Sequence, residues 1–201
     1  MTRPGPWWLG LDGGRRDMVD LEHFALQVHQ QALPDASVVC THIARTGRPH
    51  YAASFELRCP PEQVPALLGR ITGLATQAAV AALPAAADPD GSQRAGPPAL
   101  ATGATQAAAD HRARRGGRAI RFPGQDRLPD LMAVRTLLAT SAIQQLHGLG
   151  CQVTPDALPD TGGFLRPVYQ DGPLWLTVTP GTGGRLRPFE IEHPQQCCDG
   201  R

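Results

Sequence analysis

Cys40 and His42 stand two residues apart in an apolar, β-branched stretch, so a strand there puts both on one face, with His50 expected diagonally across on the next strand. Towards the end of the chain His193 precedes Cys197 and Cys198. Thiolates and imidazoles are zinc ligands, yet neither group has the C-x2-C or H-x3-H spacing of a structural zinc site, which needs four converging ligands. Partly exposed strand histidines and a free small cysteine account for the first group. A frayed, oxidisable tail accounts for the second. The expectation is therefore no metal and no other cofactor.

Catalytic constellations are equally thin. The four serines (Ser37, Ser54, Ser92, Ser141) include none in a Gly-x-Ser-x-Gly elbow. Cys40 or Cys151 with a histidine would make a dyad, but no family-specific flanking pattern supports one. Glu190 and Glu192 share a strand face, as paired acid/base carboxylates do, and as the wet side of an edge strand does. All 19 basic residues are arginine, with no lysine in the chain. That removes Schiff-base chemistry, the P-loop lysine and lysine-dependent nuclease sites, and leaves planar guanidiniums suited to clamping carboxylates or phosphates. No catalytic residue is assigned.

Binding surfaces are better represented. Leu174, Leu176 and Val178 alternate with Trp175, Thr177 and Thr179. With a turn centred on Thr182, Val178 pairs with Leu186, and Trp175, Thr177, Arg185, Arg187 and Phe189 share the outer face. Arginine beside an aromatic holds an acidic peptide or a phosphate, or stacks on a base. Thr161–Pro167 and Thr182–Pro188 match at six of seven positions, which adds Arg166 as the counterpart of Arg187. The Gly-Gly pairs within these copies read as turns, with an anion-cradling nest as the alternative. Arg112, Arg114, Arg115 and Arg118 form a basic, glycine-flanked run that would track phosphates as a nucleic-acid arm. Trp7 and Trp8 either dock as a strand or offer a self-association patch.

The elements that must position these residues follow from periodicity. Met18, Leu21, Ala25, Val28 and Ala32 predict a helix over 17–32, started by Asp17 and stopped by Pro34. Strands are expected over 37–45 and 49–58, then a helix from Pro60-Pro61 to about Leu83. Residues 84–117 are rich in Ala, Pro, Gly, Asp and Gln and predict a disordered linker. A short strand near 119–122, a helix from about Leu128 to His147 and a strand meander follow.

The expected architecture is α+β: a two-layer sandwich of antiparallel strands with about three main helices, in two lobes joined by that linker. The lobes span 1–83 and 118–194, with 195–201 a frayed tail. Near-neutral charge (+1) gives no global field towards nucleic acid or membrane. No apolar run reaches the length of a membrane span, no signal architecture opens the chain, and the odd cysteine count suggests no disulfide framework; a cytoplasmic protein with reduced thiols is expected. Depletion of Lys and Asn with abundant Ala, Arg, Pro and Gly fits a high-GC bacterial coding sequence. The leading functional expectation is a non-catalytic binding or adaptor protein that engages a protein or acidic-peptide partner through Trp175, Thr177, Arg185, Arg187 and Arg166. The alternatives are nucleic-acid binding through 112–118 and an enzyme whose site is assembled only in three dimensions.

Overall fold

The computed structural model describes residues 5–85 and 91–192. Among them, ten strands and four helices make a mixed α+β protein. None of the helices is long and apolar enough to cross a membrane. The chain divides into two compact units, residues 1–122 with 169–172, and residues 123–168 with 173–201.

The first unit begins β1 (Gly5–Arg15), α1 (Met18–Ala32), β2 (Val38–Ala44), β3 (His50–Cys59), α2 (Val64–Leu74) and β4 (Ala79–Pro84). It continues with β5 (Gln93–Ala95), α3 (Pro98–Arg112) and β6 (Arg118–Arg121). The strands lie in the order β6-β2-β3-β1-β4-β5, all neighbours antiparallel. The first six elements therefore form the split βαβ arrangement, with β3 inserted between β1 and β2. Asp17 caps α1, accepting from the Asp20 amide at 2.9 Å, and Leu21, Ala25, Val28 and Ala32 face inward as the spacing predicts. One sheet face, with Leu9, Leu11, Val39, Phe55, Leu57 and Val80, packs on α1 and on Val64, Leu67, Leu68 and Ile71 of α2. At roughly 1.5–3 kcal/mol per fully buried large side chain, this core is the unit's main stabilisation.

β1 carries Trp7 into that core at 5% exposure, with Trp8 half-buried on the opposite face. Trp7 is thus spent on the fold as a docked strand residue, which leaves Trp8 as the partly exposed member of the pair.

Two corrections concern alanine-rich sequence. The helix expected to run to Leu83 stops at Leu74, and 79–84 is strand β4. Ala79, Val80, Ala81 and Ala82 are all fully buried between β1 and β5, and two-sided burial outweighs alanine's helix propensity. The second correction is the linker. Residues 86–90 lie outside the described residues, but 91–117 hold β5 and the 15-residue helix α3. α3 lies on the second sheet face through small residues, not large ones. A Cβ at Gly10 would overlap the Ala104 carbonyl oxygen, and one at Gly103 would overlap the Asp12 carboxylate. Ala104, Ala107 and Ala108 fill the contact at 0–1% exposure. Backbones this close exclude water without large side chains, so a composition test for burial fails here.

In the second unit the helix expected over 128–147 is only α4 (Val134–Thr140). The α4 start is tied elsewhere, the Val134 and Arg135 amides donating to the carbonyls of Ala157 and Pro155. Residues 145–148 are instead strand β7 (Gln145–Gly148). The two-residue strand β8 (Val168–Tyr169) falls where the chain passes between the units. β7 runs parallel to β9 (Leu174–Pro180), which pairs antiparallel with β10 (Leu186–Pro188). Leu174, Leu176 and Val178 are buried as expected. The β9–β10 register differs from expectation by two residues: Val178 faces Pro188 and Thr179 faces Arg187. The turn is longer than assumed, with Gly183 and Gly184 at positive φ of 65° and 74°. A two-residue slip keeps each side chain on its face.

Candidate metal centre

The second face of the first unit's sheet is where polar chemistry gathers. Cys40 and His42 project from β2 on this face, and Ser54 and Glu56 do so from β3, with Cys40 directly opposite Ser54 in the register. Opposite them α3 brings His111 in its last turn. Cys40, His42, Ser54 and His111 are all buried, at 0–5% exposure.

Ser54 is the centre of the array. Its hydroxyl lies 2.7 Å from His42 Nε2 and 2.8 Å from His111 Nδ1. One hydroxyl donates one hydrogen bond and accepts others, so Ser54 donates to one imidazole and accepts N–H from the other, fixing both rings. The remaining His111 nitrogen, Nε2, stands 3.9 Å from Cys40 Sγ and 3.8 Å from Glu56 Oε2. Donor atoms of Cys40, His42 and His111 all lie within 4.8 Å of one another. Ligand atoms around a tetrahedral zinc ion are about 3.3–3.6 Å apart, so separations must close by a few tenths of an ångström up to about 1.5 Å to bring these donors to bonding positions.

The surroundings are shaped to this cluster. α3 turns back through Arg114, a non-glycine residue at φ 52°, and Gly116 at φ 67°. Gly117 then lies so close that a Cβ there would stand 2.9 Å from His42 Cε1 and 3.3 Å from Cys40 Sγ. Gly117 also accepts from the Tyr169 amide at 2.9 Å, and the Tyr169 ring lies 5.7 Å from His111. His42 also borders a cleft of about 240 Å³, lined by Ile43, Arg45, Gln106, Asp110, Arg115 and Gly116 as well.

Burial sets the charge states. It pushes the His42 pKa down to about 4. His111 is held well below the usual range by burial first, and then by His42 and Arg114 nearby. Burial, then the Glu56 carboxylate, pushes the Cys40 thiol far up. At neutral pH the array is two neutral imidazoles and a thiol. Neutral imidazoles are the form that binds metals, and the thiol becomes a ligand when an ion displaces its proton.

His50, grouped with Cys40 and His42 by spacing, joins a different pair. Its Nε2 lies 2.8 Å from an oxygen of the fully buried Asp12, and Nδ1 lies 3.0 Å from the Arg48 carbonyl oxygen. His193, Cys197 and Cys198 lie outside the described residues. His111, Ser54, Glu56 and Tyr169 were missed as site residues, His111 because its segment read as linker.

The four arginines of the basic run face separate partners. Arg112 donates to the Pro84 carbonyl at 3.1 Å, Arg114 lies over Tyr169, Arg115 borders the cleft, and Arg118 pairs with Glu22 of α1. In the second unit Arg185 pairs with Asp160 at 3.1 Å, and Arg187 Nε lies 3.4 Å from Thr179 Oγ1. Arg166 stacks on Phe164 at 3.9 Å, while Trp175 and Thr177 are half-buried on β9. Gly162 and Gly163, like Gly183 and Gly184, take positive φ, the backbone that turns require. Compared with protein-family models, curated proteins and solved structures, the chain matches none.

Proposed function

We propose that the protein is a non-catalytic binding protein whose ligand is a transition-metal ion, held in the first unit by Cys40, His42 and His111. The observation that carries this reading is the convergence of one sulfur and two imidazole donors within 4.8 Å in fully buried surroundings. Sulfur and imidazole suit Zn²⁺, Co²⁺ and Cu⁺, and disfavour Mg²⁺ and Ca²⁺, which take oxygen ligands. Ser54 supports the reading as the outer partner that orients a ligating histidine. So does the carboxyl end of α3, whose dipole favours a cation near His111. The cleft beside His42 supplies an access route. Titration of the metal-free chain with Co²⁺ tests this. One equivalent should bind with a thiolate-to-cobalt charge-transfer band that Cys40→Ser abolishes and His111→Gln weakens. Wild-type protein without that band would overturn the proposal.

A second reading concerns the second unit. We propose that Trp175, Thr177, Arg187 and the 61%-exposed Phe189 form a strand face for an acidic peptide. The Arg187–Thr179 pairing supports it by keeping this guanidinium on the same face as the aromatics. Binding of a fluorescent polyglutamate peptide should weaken on Arg187→Ala at constant melting temperature. Equal binding by both proteins would dispose of this reading.

A further inference from the structure

We propose that Glu56 is a fourth ligand, which makes the centre a closed, charge-balanced site for Zn²⁺ with one thiolate, two imidazoles and one carboxylate; this rests on the metal reading of Cys40, His42 and His111. Glu56 lies two residues beyond Ser54 on β3 and therefore on the same sheet face, diagonal to Cys40 across the β2–β3 pair. Its Oε2 is 3.8 Å from His111 Nε2, the nitrogen that stands 3.9 Å from Cys40 Sγ. One imidazole nitrogen thus has a thiol and a carboxylate at matching range. The Glu56 side chain is only 20% exposed. Ligand oxygens and nitrogens around zinc are separated by about 3.3 Å; Glu56 meets this range towards His111 but stands outside the three donors that lie mutually within 4.8 Å, so its side chain must swing towards Cys40 and His42 to close the set.

Charge gives the second argument. A divalent ion held by one thiolate and two neutral imidazoles leaves a net positive charge among buried side chains, which is strongly unfavourable. The Glu56 carboxylate brings the total to zero. Without an ion, the same carboxylate beside Cys40 opposes thiolate formation. With the ion between them, the two anions become partners on one cation. Ser54 is less suited to the fourth position, because its single hydroxyl already holds both imidazoles.

The identity of the fourth donor narrows the metal and the role. An oxygen ligand favours Zn²⁺ over Cu⁺, which prefers soft donors. Four protein ligands leave no position for a metal-bound water, as in structural rather than hydrolytic zinc sites.

The test uses the full chain, stripped of metal, with Co²⁺ for spectra and Zn²⁺ affinity read by competition with a chromophoric chelator. Glu56→Gln should weaken Zn²⁺ binding by more than the about 10–100-fold that loss of an outer-shell partner costs and alter the cobalt d–d bands, while the single-thiolate charge-transfer intensity stays. Glu56→Cys should recover the affinity and roughly double that intensity by adding a second sulfur to the same ion. Unchanged affinity and d–d bands in Glu56→Gln, or no added charge transfer in Glu56→Cys, would overturn the assignment of Glu56 while leaving the three-ligand reading intact. Should Glu56→Gln fail to fold, Glu56→Cys alone decides. Wild-type protein without a thiolate band would remove the metal reading, and Glu56 as a ligand with it.

Discussion

Acid should unfold the first unit through its buried imidazoles, and His42→Gln isolates one of them. The His42 pKa falls from 6.5 to about 4 on folding. Between those values the unfolded chain binds a proton that the folded chain refuses, so this stability is complete above about pH 6.5 and is lost as pH falls towards 4. Each pH unit of the gap is worth about 1.4 kcal/mol. His42 alone should therefore cost about 2 kcal/mol by pH 5 and about 3 kcal/mol near pH 4. His111 acts in the same direction. His50 acts oppositely: burial alone would lower its pKa, but the Arg48 carbonyl and Asp12 raise it on balance, so its contribution is present at low pH and lost as pH rises. The His50 contribution is common to the two proteins and cancels in their difference, whereas the part of the His111 shift that His42 causes disappears with it and adds to the difference in the same direction. Urea unfolding at pH 7.5 and pH 5, with chelator present, provides the assay. His42→Gln should be the weaker protein at pH 7.5, because the amide replaces an imidazole in the Ser54 hydrogen bond. Its loss on acidification should be smaller than wild type's by about 2 kcal/mol. Equal acid losses in the two proteins would refute the buried neutral imidazole.

Two further outcomes follow from the same geometry. Because the Cys40 thiol is held protonated and the imidazoles are already neutral, each bound ion should release one proton, and the Zn²⁺ dissociation constant should fall about tenfold per pH unit between pH 6 and 8; a flat profile from chelator competition would show that Cys40 is not a ligand. Gly10→Ala should force α3 off the sheet at a cost of about 1–3 kcal/mol and weaken Co²⁺ binding, since His111 rides on that helix; an unchanged melting temperature would contradict the close approach of Ala104.

Where one face of an element is apolar and the other polar, local sequence was a sufficient guide. α1 shows it, with Leu21, Ala25 and Val28 inward and a capping Asp17, and so do β2 and β3, whose alternation survives in the register. The guide failed where neither face is polar. β4 has no polar face to alternate with, and its alanines imitate a helix until β1 and β5 claim its hydrogen bonds. α3 failed for a related reason: its buried side is Gly103, Ala104, Ala107 and Ala108. Such a stripe gains stability from how closely it approaches Gly10, a property of two segments together.

The candidate centre was half legible on the same terms. Strand period alone pairs Cys40 with His42, but His111 lies 71 positions from Cys40, on a helix whose Ala, Pro, Gly and Gln composition resembles a linker. A usable signal did exist in β3. Tyr51, Ala53, Phe55 and Leu57 alternate there with Ala52, Ser54 and Glu56, a pattern that gives the second set the more polar side, yet Ala52 and Ser54 are fully buried. A strand carrying small residues on its polar side, beside a β1 that offers only Gly10 at the matching position, is shaped to accept a closely packed layer. Once that layer is granted, a buried hydroxyl must find hydrogen-bond partners within it or on a neighbouring strand. His111 is the one polar residue that α3 buries fully, and the chemistry of the centre follows from that meeting.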